Sequence, residues 1–360
     1  MRIALIHDYL NEFGGAERVL LALAEIWPEA PIYTAFYRKG SAAYERFKDK
    51  KIITSWAQKI PFFSSKLYSP LRFLAPKIWS SFVRGLADYD VVISSSSWYV
   101  IKGLHPNEIC YCHTPPRWLY GYQTASNWQK YWLVRVYGLI IGHLMRHYDY
   151  AQAQKVKYFI ANSEEVRRRI KKFYRRESTV IYPPIELPQH HSVTVLQKDY
   201  YLIVSRLVGG KGIELGMEAA KKLGIKLKIV GTGPLKIELR ENIEIVGQVS
   251  DQELVKLYSE AKAFLALSRD EDFGITPVEA MACGCPVIAF KGGGYKETVV
   301  EGKTGLFFNE YSVKSLIRSL QRFEKMRFKQ EDCLEQAEKF SKARFKQEIR
   351  DFVARHSPGK

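Results

Sequence analysis

The stretch Ser268–Phe290, SRDEDFGITPVEAMACGCPVIAF, predicts a loop, a helix and a strand in succession. The helix pattern begins near Pro277 and ends at Gly284, because proline favours the first turn of a helix and glycine favours the position after the last. The apolar run PVIAF is typical of a buried parallel strand. Glu271 therefore precedes the helix, and Glu279 lies inside it. The N–H groups at such a helix start favour anions or sugar oxygens, whereas a salt-bridged surface helix explains the same two acids.

The rest of the chain repeats this alternation of short apolar runs and amphipathic helix patterns. The strand-like runs are RIALIHD, VVISSSS and NEICYCH in the first half and YLIVSRL, KLKIVGTG, IEIVGQVS and KAFLALS in the second. Strands separated by helices predict parallel sheets built from βαβ units. Two such series predict an α/β protein with two doubly wound domains, over 1–184 and 200–335. The proline-containing segment 185–199 is predicted as a hinge, and 336–360 as a helical segment that could pack back on the first domain.

Length and composition exclude several classes of protein. The chain has 360 residues, of which 46% are apolar and 13% aromatic, values typical of a folded globular protein with room for two domains. The five cysteines fit neither a zinc site nor a secreted disulfide framework, so we expect reduced thiols. The N-terminus MRIALIHDYL is interpreted as a first strand, not a signal peptide. The stretch YWLVRVYGLIIGHLM, interrupted by Arg135 and His143, is predicted as a buried helix rather than a membrane span.

The charge of the chain is uneven. The formal net charge is +17, and residues 1–184 contain 27 basic against 14 acidic residues. This excess predicts an anionic partner, which could be a membrane surface, a nucleic acid or a phosphorylated substrate. The run 50–87 contains seven cations, seven aromatic residues and no acid, so we predict that it faces an anionic membrane surface. Alternatively, its aromatic residues belong to the core and its cations are merely solvated.

Three further loops follow strand-like runs and offer groups to an anionic ligand. Gly14 and Gly15 precede a helix pattern and expose N–H groups there, although a tight turn also favours two glycines. Arg206 and Lys211, in VSRLVGGKG, match a diphosphate, although two solvated surface cations give the same spacing. His113, in CYCHTPPRWLYG, lies at the end of a strand, where it faces a crevice or simply caps the strand.

Taken in order, these loops together with EDFGITPVEAMACGCPVIAF and GGGYKETVVEGKTGLFF resemble glycosyltransferase family 4. That family contains retaining, nucleotide-sugar-dependent enzymes with the GT-B fold, in which two Rossmann-like domains face a cleft. The resemblance covers most of the chain and is clearest from Ser205 to Phe308. The motifs CHTPPRWLY, VIYPP and RDEDFGITPVEAMACGCPVIA are most similar to O-antigen and polysaccharide mannosyltransferases.

The resemblance implies a role for each residue in the second-half motif. It implies that Glu271 and the backbone of Phe273, Gly274 and Ile275 bind the hydroxyls of the donor sugar. It implies that Glu279 binds the ribose of the nucleotide.

The same resemblance implies a set of residues around the diphosphate. Arg206 and Lys211 neutralise it, and Gly14 and Gly15 lie nearby. His113 becomes the histidine of the catalytic site. No metal site and no cofactor are expected, because side-chain cations take the part of a metal ion at the leaving group.

The implied reaction moves a hexose, expected to be mannose from GDP-mannose, to a glycan or lipid-linked acceptor in surface polysaccharide synthesis. UDP-sugars are the alternative donors. The implied location is the cytoplasm, at the inner face of the cell membrane. Two rival functions stay open: a nucleotide-sugar epimerase on the same fold, and a basic nucleic-acid-binding protein, which leaves the ordered glycine loops unexplained.

Overall fold

The computed structural model describes residues 1–99, 101–124, 131–188, 199–235 and 241–357. These residues form two compact units. The first unit holds the described residues up to 122, those from 131 to 184 and those from 343 onward. The second holds 123–124 and the described residues between 185 and 342. Most of the predicted hinge, 189–198, lies outside the described residues.

Each unit contains one parallel β-sheet. The strands are β1 (Ile3–His7), β2 (Ile32–Thr34), β3 (Ile52–Thr54), β4 (Val91–Ser96), β5 (Glu108–Cys112), β6 (Tyr158–Ala161), β7 (Thr179–Val180), β8 (Tyr200–Val204), β9 (Lys226–Val230), β10 (Ile243–Gly247), β11 (Ala263–Ala266), β12 (Val287–Phe290) and β13 (Gly305–Phe308). Most of their residues are buried, because helices cover a parallel sheet on both faces.

Helices follow most of the strands. They are α1 (Gly15–Ile26), α2 (Ala42–Phe47), α3 (Ala75–Ser80), α4 (Val83–Leu86), α5 (Trp132–Lys155), α6 (Glu164–Tyr174), α7 (Ile213–Leu223), α8 (Asp251–Glu260), α9 (Ile275–Ala282), α10 (Tyr295–Thr298), α11 (Val313–Phe323), α12 (Gln330–Glu338) and α13 (Lys342–His356). Several begin at a serine whose hydroxyl accepts a hydrogen bond from the backbone N–H three residues on, as Ser163, Ser250 and Ser312 do.

The strand order of each sheet contains one reversal. The first sheet runs β3-β2-β1-β4-β5-β6-β7 and reverses between β1 and β4. The second runs β10-β9-β8-β11-β12-β13 and reverses between β8 and β11. In open parallel sheets the loops at the carboxyl ends of the two strands beside the reversal form a crevice that binds ligands. The predicted α/β class with two doubly wound sheets is confirmed.

The C-terminal helix belongs to the first unit. Phe345, Ile349 and Phe352 of α13 share a buried cluster with Val19 and Leu23 of α1. The preceding helix, α12, packs against α9 in the second unit. The chain therefore returns from the second unit to the first at 342–343.

A buried ion pair ties α5 to the segment that follows β4. Lys102 Nζ contacts Asp149 Oδ1, and both side chains are fully buried. The other carboxylate oxygen of Asp149 accepts hydrogen bonds from the hydroxyls of Tyr120 and Tyr174, each at 2.8 Å. The pair is thus neutralised and hydrogen-bonded, as a buried charge requires.

The prediction of a buried helix for YWLVRVYGLIIGHLM is wrong for its first half. Ile141, Met145 and Tyr148 reach the core, but Trp132–Val136 are exposed, as are Leu139 and Ile140. The reason is that only one stripe of a 3.6-residue period can face the core, and this segment is apolar on more than one side. No helix in the described part of the chain is long and apolar enough to cross a bilayer.

The basic aromatic run 50–87 divides between core and surface. Phe63, Trp79 and Phe82 are buried in the first unit, so the core interpretation is correct for them. Phe62 and Phe73 are exposed.

Candidate active site

In the first unit, Asp8 joins the two loops at the reversal of the sheet. It follows β1, and its carboxylate accepts hydrogen bonds from the backbone N–H groups of Ser97, Trp98 and Tyr99 at 3.0, 2.6 and 3.1 Å. The Ser97 hydroxyl donates a fourth hydrogen bond, at 2.7 Å. Asp8 is buried, and these donors satisfy its charge. The loop after β4 is thereby held against the loop after β1.

Gly14 and Gly15 lie where the sequence predicts, at the start of α1 beside this reversal. The Gly14 N–H donates to Glu17 Oε2 at 2.8 Å, so the helix supplies its own anion at that position. A side chain at Gly14 would meet the same carboxylate oxygen at 3.3 Å. The glycine therefore leaves room for Glu17 to fold back over the helix start.

A chain of hydrogen bonds runs from Glu17 to His113 across three neighbouring strands. Glu17 Oε1 lies 3.3 Å from His7 Nε2, and His7 Nδ1 lies 3.0 Å from Ser95 Oγ. Ser95 Oγ lies 2.8 Å from His113 Nε2. His7, Ser95 and His113 are buried. Four side chains from β1, α1, β4 and the end of β5 thus form one connected network.

The hydrogen bonds of this network are limited by which groups can donate. The Glu17 carboxylate only accepts, so Nε2 of His7 donates to it. The Ser95 hydroxyl lies between Nδ1 of His7 and Nε2 of His113, and it has a single proton to donate to one of the two rings. Burial lowers the pKa of His113 to about 3, with a smaller contribution from His7, so the ring is neutral near pH 7.

Arg72 is held between two aromatic rings in the same unit. Its guanidinium carbon lies 5.1 Å from the ring centre of Trp98 and 4.4 Å from that of Trp118. Burial lowers the pKa of the Arg72 guanidinium, and Ser69 O accepts a hydrogen bond from its Nε at 2.7 Å. Because Asp8 fixes the backbone of Trp98, this cation is positioned indirectly by the same loop.

In the second unit, the loops at the reversal bring Lys211 and Glu271 together. Lys211 Nζ lies 3.0 Å from Glu271 Oε2, across a separation of 60 residues in the chain. The Tyr295 hydroxyl donates to the same oxygen at 3.4 Å. Lys211 is 27% exposed and Glu271 is 18% exposed, so both side chains reach water. Arg206 lies on the same loop as Lys211 and is exposed.

Glycines allow two loops to pack backbone against backbone beside Glu271. A side chain at Gly293 would lie 2.1 Å from the Glu271 carbonyl oxygen, and the Gly294 N–H donates to that oxygen at 3.0 Å. Gly274 has a φ of +88°, and a side chain there would lie 2.7 Å from the Tyr295 ring. These contacts fix the backbone around Glu271.

The remaining predicted residues lie on the loop and helix that follow. Phe273 is buried, Gly274 is the N-cap of α9, and Ile275 is its first residue. Glu279 lies further along α9 and accepts a hydrogen bond from the Tyr258 hydroxyl at 3.2 Å. Glu279 thus follows Glu271 on a continuous loop-to-helix segment, as the sequence predicts.

Sequence reasoning missed His7, Asp8, Glu17 and Ser95. The first two end the strand RIALIHD, and a polar pair at the carboxyl end of a strand is a signal that could have identified them. Glu17 stands three residues after Gly14, which is the spacing of an acidic residue that caps its own helix. Ser95 gives no such signal, because its role depends on strand pairing.

Comparisons with known proteins agree with this architecture. A model of "Glycosyltransferase Family 4" matches residues 13–189, and a model of "Glycosyl transferases group 1" matches residues 189–340. A solved structure of HepE from Anabaena, in complex with UDP and glucose, superposes with a TM-score of 0.73 at 18% identity, over 98% of this chain and 99% of that one.

Curated relatives match over shorter stretches. An uncharacterized glycosyltransferase from Methanocaldococcus jannaschii is 30% identical over 193 residues, which is 50% of this chain and 54% of that protein. The alpha-1,3/1,6-mannosyltransferase ALG2 of Dictyostelium discoideum is 30% identical over 157 residues, which is 35% of this chain and 37% of that protein. The chain thus spans about half or less of the length of these relatives.

Two doubly wound parallel sheets with this strand order define the GT-B class of fold. The two glycosyltransferase family models together match residues 13–340 of this chain.

Proposed function

We propose that this protein is a retaining glycosyltransferase that moves a hexose from a nucleotide sugar to an acceptor hydroxyl. The observation that carries the proposal is the pair of Lys211 and Glu271 at the reversal of the second sheet. A cation there can bind a diphosphate, and a carboxylate beside it can bind sugar hydroxyls. The pair therefore offers both groups that a nucleotide sugar requires.

In the proposed reaction, the bond from the anomeric carbon to the departing phosphate oxygen breaks. A bond from that carbon to the acceptor oxygen forms on the same face, and the acceptor proton passes to the phosphate oxygen. Lys211 and Arg206 stabilise the charge that develops on the diphosphate. Glu271 binds a hydroxyl of the donor sugar, and Glu279 binds the ribose of the nucleotide. No step of this scheme uses a metal ion or a cofactor, and metal independence stays a prediction.

The first unit is proposed to bind the acceptor and to supply His113. His113 lies at the end of the hydrogen-bond network that begins at Glu17, and its ring is proposed to hydrogen-bond a sugar hydroxyl. A neutral imidazole suits this role better than a charged one. The His113 ring is neutral because burial lowers its pKa. The acceptor is proposed to be a glycan or lipid-linked sugar in surface polysaccharide synthesis, used at the inner face of the cell membrane.

GDP-mannose is the proposed donor. The similarity to a protein described as an alpha-1,3/1,6-mannosyltransferase supports mannose, over 35% of this chain. UDP-sugars are the competing donors, because the HepE structure holds UDP and glucose.

Calorimetric titration of the full chain with GDP and with UDP, in EDTA, tests the donor. We expect GDP to bind at least about tenfold more tightly, a difference of about 1.4 kcal/mol. Lys211→Met should abolish most of this binding, whereas Lys226→Met, in an exposed pair at the start of β9, should leave it unchanged. Tighter binding of UDP would overturn the choice of GDP-mannose. Isomerised donor formed without an added acceptor would indicate the epimerase instead.

A further inference from the structure

One face of α5 exposes a row of large apolar side chains. We call it the α5 face, and its members are Trp132, Leu133, Val136, Leu139, Ile140 and Leu144. Trp132 is 68% exposed and Leu139 is 63% exposed. At 100° per residue, all six fall within about 140° of the helix circumference. An exposed apolar area of this kind on a folded protein marks an interaction surface.

The α5 face cannot turn inward, because from Ile141 onward the opposite side of the helix is already packed against the core. Ile141, Met145 and Tyr148 pack into the core of the first unit. The fully buried pair of Lys102 and Asp149 holds the same helix further along. The orientation of α5 is therefore fixed by packing, and its apolar face points to solvent.

A second group of exposed aromatic residues lies on the segment 59–77, which contacts α5. The Tyr137 hydroxyl of α5 donates to the carbonyl oxygen of Pro70, which joins the two. On this segment Phe62 is 70% exposed, and Phe73 is also exposed. Phe62 has a φ of +59°, an uncommon conformation for an aromatic residue. Backbone strain that presents an aromatic ring to water points to a function for that ring.

The formal charges on the two segments that form this surface all have one sign. Neither 50–87 nor 131–148 contains an acidic residue. The exposed cations on these segments include Lys59, Lys66, Lys77 and Arg135. A second copy of the chain would bring the same positive charges to the contact, whereas anionic lipid headgroups complement them.

We propose that the α5 face and its basic surround form a membrane-binding surface for anionic lipid. The helix lies in the plane of the bilayer, its apolar side chains enter the headgroup boundary, and the cations contact lipid phosphates. Tryptophan is favoured at the headgroup level of membranes, which is the level this arrangement gives Trp132. The proposal refines the membrane contact expected from the run 50–87, because it assigns insertion to α5. It does not depend on which sugar donor the protein uses.

Vesicle co-sedimentation of the full chain tests the proposal. We expect binding to vesicles that contain phosphatidylglycerol, weak binding to phosphatidylcholine alone, and weaker binding in high salt. The triple variant Leu139→Ser, Ile140→Ser, Leu144→Ser should lower the partition coefficient at least about 30-fold, since three apolar contacts are lost. Val300→Ser, an exposed apolar position in the second unit, is the matched control and should bind as the wild type does. Circular dichroism checks that each variant is folded.

Depth-dependent quenching gives a second readout that does not rely on the triple variant. Brominated lipids should quench part of the tryptophan fluorescence of the wild type, and Trp132→Phe should remove most of that quenched fraction. Equal recovery of the wild type in the supernatant with and without anionic vesicles would overturn the proposal. A dimer in the absence of lipid would also overturn the proposal if light scattering shows that the triple variant is a monomer. The α5 face would then bind a second copy of the chain.

Discussion

Replacing His113 by glutamine should remove a large part of the acid sensitivity of the first unit. Burial lowers the pKa of His113 to about 3 in the folded protein, against about 6.5 in an unfolded chain. Because the folded pKa lies below the unfolded value, the contribution of His113 to the stability of the folded protein is complete above pH 6.5 and is lost as the pH falls towards 3. Glutamine does not titrate, and its amide can still donate to Ser95 Oγ.

The size of the effect follows from the proton balance. Between pH 7 and pH 5 the unfolded chain takes up about 0.7 of a proton at this histidine, while the folded chain takes up almost none. This difference costs about 2 kcal/mol of the free energy of unfolding, at about 1.4 kcal/mol per pH unit below the unfolded pKa. The free energy of unfolding of His113→Gln should therefore fall by about 2 kcal/mol less than that of the wild type over this pH range.

Urea denaturation at pH 7 and at pH 5 measures the effect. All seven tryptophans lie between residues 27 and 132, so their fluorescence reports the first unit. His147→Gln, at an exposed position on α5, is the matched control and should keep the full acid sensitivity. An equal loss of stability in the wild type and His113→Gln would refute the reasoning, because the ring would then titrate in the folded protein as it does in the unfolded chain.

Two further predictions concern the other charged groups. Removing the charge in Arg206→Ala or Lys211→Met should lower kcat/KM at least about 100-fold while leaving the fold intact, because each cation is proposed to supply a few kcal/mol at the leaving group. Steady-state transfer kinetics measure this effect, with Lys226→Met as the control. Near-wild-type activity in both variants would contradict the proposed roles. Asp149→Asn should lower the free energy of unfolding by about 3–5 kcal/mol, because the substitution leaves Lys102 buried without its counter-charge. Urea denaturation measures this loss, and a loss below about 1 kcal/mol would contradict the prediction.

The fold was largely predictable, because the alternation of strand and helix patterns is a local property of the sequence. The loop before α9 and the helix after it followed from the Pro277 and Gly284 signals, although α9 begins two residues before Pro277, at Ile275. The side of α5 that meets the core was not predictable. A helix that is apolar around most of its circumference offers several possible faces, and only the tertiary contacts of Ile141 and its neighbours select one.

The candidate site was predictable in its loops but not in its network. Residues at the ends of strands could be named, because the carboxyl ends of parallel strands meet at one edge. The contact of His7 with Ser95 depends on register, since the pairing of β1 with β4 places His7 opposite Ser95. A shift of one residue would turn these side chains to opposite faces of the sheet. Nothing local to either residue specifies that pairing.

Two pairs of lysine and carboxylate in this chain have the same chemistry but different burial, and burial separates their roles. The pair of Lys102 and Asp149 is fully enclosed, so opening it would expose an uncompensated charge to the core, and it can only be structural. The pair of Lys211 and Glu271 keeps partial access to water on both sides. Each partner can therefore exchange the other for a ligand group at small cost: the ammonium for a diphosphate oxygen, the carboxylate for a sugar hydroxyl. In the free protein the pair holds both side chains at the reversal of the second sheet, which is where a nucleotide sugar would need them.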